Sequence, residues 1–241
     1  MNAHWRLKCT WLALLFGVSP VLASGIYITE FCSDTGHNEH YEFIEVTNVS
    51  SASVNMSGWS QDDSSAQPDK HSLTGLGTLA PGQSGIITEA TPAALRTYWG
   101  LSASVPIVGG FTNDNLSATA DSITLFDNTK TLVDHLDYST TNGGSADAGV
   151  SPFATRTAPR TALGLNNNGL WVNSFIGDSY GSHSAPDPVD VSHAIGSPGT
   201  YTPVLVPAPT ILAQTTCGLL ACMLILRRRR PFLKGTAFHV A

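Results

Sequence analysis

Glu42-Phe43-Ile44-Glu45-Val46-Thr47-Asn48 is a run of β-formers in which polar and apolar residues alternate. Such a run predicts a strand in which Phe43, with Ile44 and Val46, contributes inward faces. Glu42 and Glu45 are three residues apart, so they point to opposite sides of a strand. They make a poor catalytic pair and read as structural or solvated. Asn48 is placed to end the strand with a local side-chain bond.

Similar segments recur on either side. Ile26-Tyr27-Ile28-Thr29-Glu30-Phe31 is β-rich, and Ser84 to Thr88 follows the turn Ala80-Pro81-Gly82-Gln83. Ser122 to Phe126 and Thr131 to Leu136 flank the polar loop Asp127-Asn128-Thr129-Lys130, which suits a hairpin. Pro92 to Trp99 is the helical candidate, with Pro at its start and Gly100 behind it. Trp171, Val172, Phe175 and Ile176 are expected to form one late strand. Short strands separated by turn clusters predict an all-β sandwich with one short helix.

Composition excludes several classes. Only 12% of the 241 residues are charged, against 22 Gly and 14 Pro, which argues against coiled coils and helical bundles. The 42% hydrophobic content argues against a disordered chain. All 18 acidic residues lie between Glu30 and Asp190, with five basic ones, a formal charge of −13 for that stretch. Nucleic-acid affinity rests mostly on Lys and Arg displacing counterions, so DNA or RNA is not an expected partner.

The two ends look like addresses. Arg6 and Lys8 precede the apolar run Trp11 to Val18, and Val21-Leu22-Ala23 fits a small-residue cleavage site. A signal peptide over residues 1–23 is expected, with cleavage between Ala23 and Ser24. At the other end, Val206-Pro207-Ala208-Pro209 is stiffened by its prolines and closes a stalk over residues 201–210. Residues 211–226 carry no charge; as a transmembrane helix they measure about 24 Å. Arg227, Arg228, Arg229 and Arg230 would stop translocation and hold residues 227–241 on the cytoplasmic side. Of four cysteines only Cys32 falls in the exported part, so no internal disulfide is expected there. Cys32 reads as a buried small residue.

The C-terminal order of Pro-x-Pro motif, apolar segment and arginine cluster resembles the PEP-CTERM sorting signal of Gram-negative bacteria, in its Val-Pro-x-Pro variant. Ala208 stands where the name-giving form has Glu, and Pro231 to Ala241 extends beyond the usual end. The resemblance implies an exosortase-like transpeptidase as partner, acting at Val206 to Pro209. It also implies a single membrane span before processing. The central motifs resemble a lamin-tail domain. They are Glu42-x-x-Glu45-x-x-Asn48, Ser57-Gly58-Trp59, Leu79-Ala80-Pro81-Gly82, and the segments Ser122 to Phe126 and Leu132 to Tyr138. That resemblance implies an Ig-like β-sandwich over residues 24–138, with residues 139–200 a loop-rich continuation of the same domain.

Other chemistry is sparse. His37-x-x-His40, near Asp34 and Glu39, has donor atoms but no third fixed His or Cys. Asp62, Asp63 and Asp69 supply oxygens without EF-hand spacing. Gly177-Asp178-Ser179 is similar to the nucleophile segment of some esterases but lacks the strand-turn-helix setting. Asn48, Asn55 and Asn115 sit in N-x-Ser sequons. No catalytic residue, metal or cofactor is assigned. The expectation is an exported, non-enzymatic adhesion or matrix module at the cell envelope, surface or extracellular matrix, with polysaccharide as a candidate ligand. Two rivals stand beside it: a permanently anchored single-span protein, and an accessory domain for a secreted nuclease or phosphatase.

Overall fold

A computed structural model describes residues 25–33, 41–111, 116–139, 153–186 and 194–202. The cleavage pair Ala23 and Ser24, the His37 and His40 loop with Asp34 and Glu39, Asn115, and all of residues 203–241 lie outside the described residues. Numbered along the chain, the strands are β1 (Ile26–Cys32), β2 (Phe43–Asn48), β3 (Val54–Asn55), β4 (Ser60–Asp62), β5 (His71–Ser72), β6 (Thr78–Leu79) and β7 (Ser84–Thr88). After helix α1 (Pro92–Trp99) come β8 (Ile107–Gly109), β9 (Ala120–Phe126), β10 (Leu132–Ser139), β11 (Arg156–Thr157), β12 (Val172–Asn173), β13 (His183–Ser184) and β14 (Ile195–Gly196).

Two sheets face each other. One has the order β12-β11-β1-β2-β7-β8, the other β10-β9-β4-β5. Ile28, Phe31, Ile44, Val46, Met56, Trp59, Ile123, Leu125 and Leu136 fill the space between them. Trp59 is buried there. The predicted sandwich is therefore present, with an addition. β1, β2 and β7 are buried along their whole length, on both faces. A second apolar cluster of Phe43, Ile86, Leu95, Tyr98, Trp99, Ala185 and Ala194 covers the other side. The molecule is thus three layers deep where α1 and the chain after residue 153 lie over the larger sheet. A strand buried on both sides has no reason to alternate, and β1 does not.

Local chemistry explains the elements. Thr91 caps α1 by accepting from the Ala94 N–H, Pro92 opens the helix, and Gly100 ends it at φ +64°. Asp127 accepts N–H bonds from Thr129 and Thr131 and so closes the β9–β10 hairpin. The expected late strand is shorter than predicted. Pairing stops at Asn173, because Asp178 accepts the Phe175 N–H and folds Phe175-Ile176-Gly177-Asp178 into a turn. Phe175 and Ile176 are left 55% and 65% exposed rather than packed. Cys32 is buried in β1. The described residues form one compact unit ending at Thr202. Among them no helix is long and apolar enough to cross a membrane.

Candidate functional site

A bulge in β1 brings two glutamates together. Ile28 pairs with Val46, but the next pair is Glu30 with Glu45, leaving Thr29 as the extra residue. The extra residue reverses the side-chain parity. Ile28 and Phe31 now share the inner face, while Glu30 joins Glu45 on the outer one. Both carboxylates are fully buried. Glu30 accepts from the Thr155 hydroxyl, the Ser197 N–H at 2.9 Å and the Ser197 hydroxyl at 3.0 Å. Glu45 accepts from the Thr29 hydroxyl at 2.8 Å and the Gly199 N–H at 2.7 Å. Burial pushes the Glu30 carboxyl above the usual carboxylate range. Burial, and then the charge of Glu30, does the same to Glu45. These neutral donors come from β1 and from two distant stretches, so the pair fastens residues 155 and 197–199 to the sheet. A substrate has no approach to it.

The outer face of the smaller sheet is a polar ledge. Asp62, Thr124 and His135 stand in one row, Ser122 and Asp137 in another. His135 lies 2.9 Å through Nδ1 from the Thr124 hydroxyl and 3.0 Å through Nε2 from Asp137 Oδ1. Hydroxyl, imidazole and carboxylate thus lie in series, but Thr124 is only 1% exposed and its hydroxyl also donates to the Asp63 carbonyl. It cannot meet a substrate. Asn166 pairs with Asp137 in both directions, accepting its N–H and donating to Oδ2, each at 2.7 Å. The side chain thereby mimics a neighbouring strand and covers the β10 edge. Bonds from Asn166 and then Ser122 hold the Asp137 carboxyl below its usual range. Asp137, Asn166, Asn167, Asn168 and Gly169 line a cleft of about 350 Å³. Asn167 is oriented there by accepting the Gly169 N–H at 3.1 Å.

A family model for the lamin tail domain matches residues 22–140. Over this stretch the chain is similar to lamin tail domains. The family is an Ig-like structural and binding one, without catalytic activity of its own. No curated protein matches the chain. Both glutamates lie inside the lamin tail domain; Thr155, Ser197 and Gly199, which bind them, lie beyond its matched end. The Asn166–Gly169 wall of the cleft is likewise outside it, opposite Asp137 within it.

The other residues singled out in the sequence disperse. Asp62 accepts from the Ser65 hydroxyl and the Gln67 N–H, Asp63 from the Ser65 N–H, and Asp69 pairs with Lys130. Asp62 and Asp63 therefore serve their own loop and Asp69 reaches the β9–β10 turn, and among the described residues no three His, Cys, Asp or Glu side chains converge as a metal group. Asp178 accepts N–H bonds from Phe175, Tyr180 and Ser182, which makes it a turn residue. Asn48 is fully buried and donates to the Ala52 and Leu79 carbonyls, so its sequon is closed. Val206, Pro207, Ala208, Pro209 and Arg227 to Arg230 lie outside the described residues. Sequence reasoning missed Glu30. The only signal was a glutamate inside an otherwise apolar strand.

Proposed function

We propose that the chain is an exported, non-enzymatic surface or matrix protein whose lamin tail domain, with the segment packed on it, binds a neutral polysaccharide. The leader at residues 1–23 directs export. An exosortase-like transpeptidase acts at Val206 to Pro209 while Arg227 to Arg230 hold the uncut segment in orientation. The domain is delivered to the cell surface or extracellular matrix of a Gram-negative bacterium.

The observation that carries the binding half is the Asp137–Asn166–Asn167 cleft. Its walls are planar amides and a carboxylate already fixed by internal bonds. Each planar group matches two adjacent hydroxyls of a sugar ring, and fixed groups lose little freedom on binding. Leu165 and Leu170 flank the loop and are 48% and 43% exposed, apolar surface for the C–H face of a ring. The lining holds no cation, which disfavours anionic glycans. Calorimetry of the exported protein against neutral and anionic surface polysaccharides tests this. The neutral glycan is expected to bind, and Asn167→Ala to weaken it about tenfold, the loss of one or two hydrogen bonds. Binding that prefers the anionic glycan, or that ignores Asn167→Ala, overturns the cleft as the site.

A further inference from the structure

We infer that the edge strand β12 is a dimer interface, at which two copies of this chain join their larger sheets about a two-fold axis beside Asn173. The dimer is independent of glycan binding at the neighbouring cleft.

Five of the six large apolar side chains exposed among the described residues fall in one stretch: Leu165, Leu170, Val172, Phe175 and Ile176. Residues 161–177 hold no charged residue, although the chain from Glu30 to Asp190 carries a net −13. Two such chains repel wherever their acidic surfaces meet, so copies approach with least opposition where charge is absent. Phe175 and Ile176 are held outward by a rigid turn, because Asp178 accepts the N–H groups of Phe175, Tyr180 and Ser182. The five side chains present a few hundred Å² of apolar surface, and exposed patches of that size mark contact sites on soluble domains.

β12 ends the six-strand order of the larger sheet, so one of its edges faces away from β11. The Ser174 N–H donates to the Thr155 carbonyl at 2.9 Å. In an antiparallel ladder, pairs that exchange backbone bonds alternate with pairs that do not. Asn173, opposite Arg156, therefore turns its N–H and C=O outward. On either side of it the edge is closed. The Trp171 N–H donates to the Asn168 carbonyl at 3.0 Å, and the Trp171 carbonyl accepts from Arg156 at 2.8 Å. The Phe175 N–H goes to Asp178 at 3.2 Å. β12 thus offers one donor and one acceptor, both on one residue.

That single open residue selects the partner. An ordinary strand laid along β12 would bring backbone groups that find no mate beside Trp171 and Phe175. A second copy brings the same open residue between the same closed neighbours, so nothing is left unpaired. Asn173 then exchanges two backbone bonds with Asn173 of the partner subunit. The register sets Val172 against the partner's Ser174 and Trp171 against the partner's Phe175, with Leu170 next to the partner's Ile176. Apolar side chains meet apolar ones on both sides of the axis, and the contact closes at two copies. The patch falls short of the about 800 Å² per partner of a standard interface, so the dimer is reversible rather than obligate.

Two measurements test this. Antiparallel partners that exchange backbone bonds stand about 5.5 Å apart at Cα, within disulfide reach. The full chain carrying Asn173→Cys is oxidised in envelope fractions and run on a non-reducing gel, with the wild type setting the background of its own cysteines. At least about fivefold more dimer is expected than from Leu132→Cys, an exposed position on the β9–β10 hairpin outside the patch. Sedimentation of the exported protein over roughly 1–100 μM is expected to show reversible dimerisation, weakened at least about tenfold by Ile176→Glu, which sets a charge in the contact twice. Cross-linking of Asn173→Cys no better than Leu132→Cys, a monomer across the whole range, or association indifferent to Ile176→Glu overturns the proposal. Should Asn173→Cys not fold, sedimentation of the wild type against Ile176→Glu decides alone.

Discussion

With Thr29 bulged out of β1, Glu30 meets Glu45 and the Ile28 N–H is turned away from its own sheet. That N–H is taken by Asp134 Oδ2 at 2.9 Å, a carboxylate from the opposite sheet, whose Oδ1 accepts from the His135 N–H at 2.9 Å. β10 is itself irregular between Leu132 and Asp134, so each sheet bends where the other needs it. Burial pushes the Asp134 carboxyl up to about 6, outweighing those two N–H bonds. Removing the acceptor leaves a buried donor unpaired. Asp134→Ala is expected to cost about 1–3 kcal/mol, and Asp134→Asn less because it retains a carbonyl for Ile28. Urea denaturation at neutral pH measures both; equal midpoints for wild type and Asp134→Ala would remove Asp134 as the inter-sheet tie. Much at this scale was legible. Asn48 and Gly82, at φ +76°, do what their residue types suggested. Glu30 was not legible, because a bulge changes parity without changing the sequence pattern.

The long strands, the helix and the hairpin were readable because their signals are local: Pro92 and Gly100 around α1, Asp127 under the β9–β10 turn. β11 and β12 are two residues each, and of them only Val172 fell within an expected strand. They exist because β1 offers a free edge, and Arg156 joins them by donating to Asn173 Oδ1 at 2.7 Å and the Trp171 carbonyl at 2.8 Å. The segment after the lamin tail domain thus completes the sheet and covers Glu30, Glu45 and Ile86. Ending the chain at Ser139 would expose the β1 edge, an apolar patch and two buried acids together. Exposed edges and apolar patches drive association. Residues 24–139 are therefore expected to aggregate, while 24–202 run as a sharp, folded species in size-exclusion chromatography. A soluble, cooperatively unfolding 24–139 would show that the later segment is an ornament.

At the scale of the whole molecule, the described residues end at Thr202, and the Pro-x-Pro stretch proposed as a sorting motif begins at Val206. Among the described residues no helix is long and apolar enough to cross a membrane. The proposed address is a pattern in the sequence alone, because its parts would act on other molecules: prolines on a transpeptidase, an apolar run in lipid, arginines against the cytoplasmic face. The intact mass of the protein recovered from fractionated cells is expected to lack everything beyond about residue 210, in a surface or matrix fraction. Replacing Pro207 and Pro209 with Ala is expected to leave full-length precursor in the inner membrane, because the stiff extended motif is then lost. Wild-type protein that keeps Ala241 and stays with the inner membrane would instead favour the permanent anchor, to which the tail Pro231 to Ala241 already lends support.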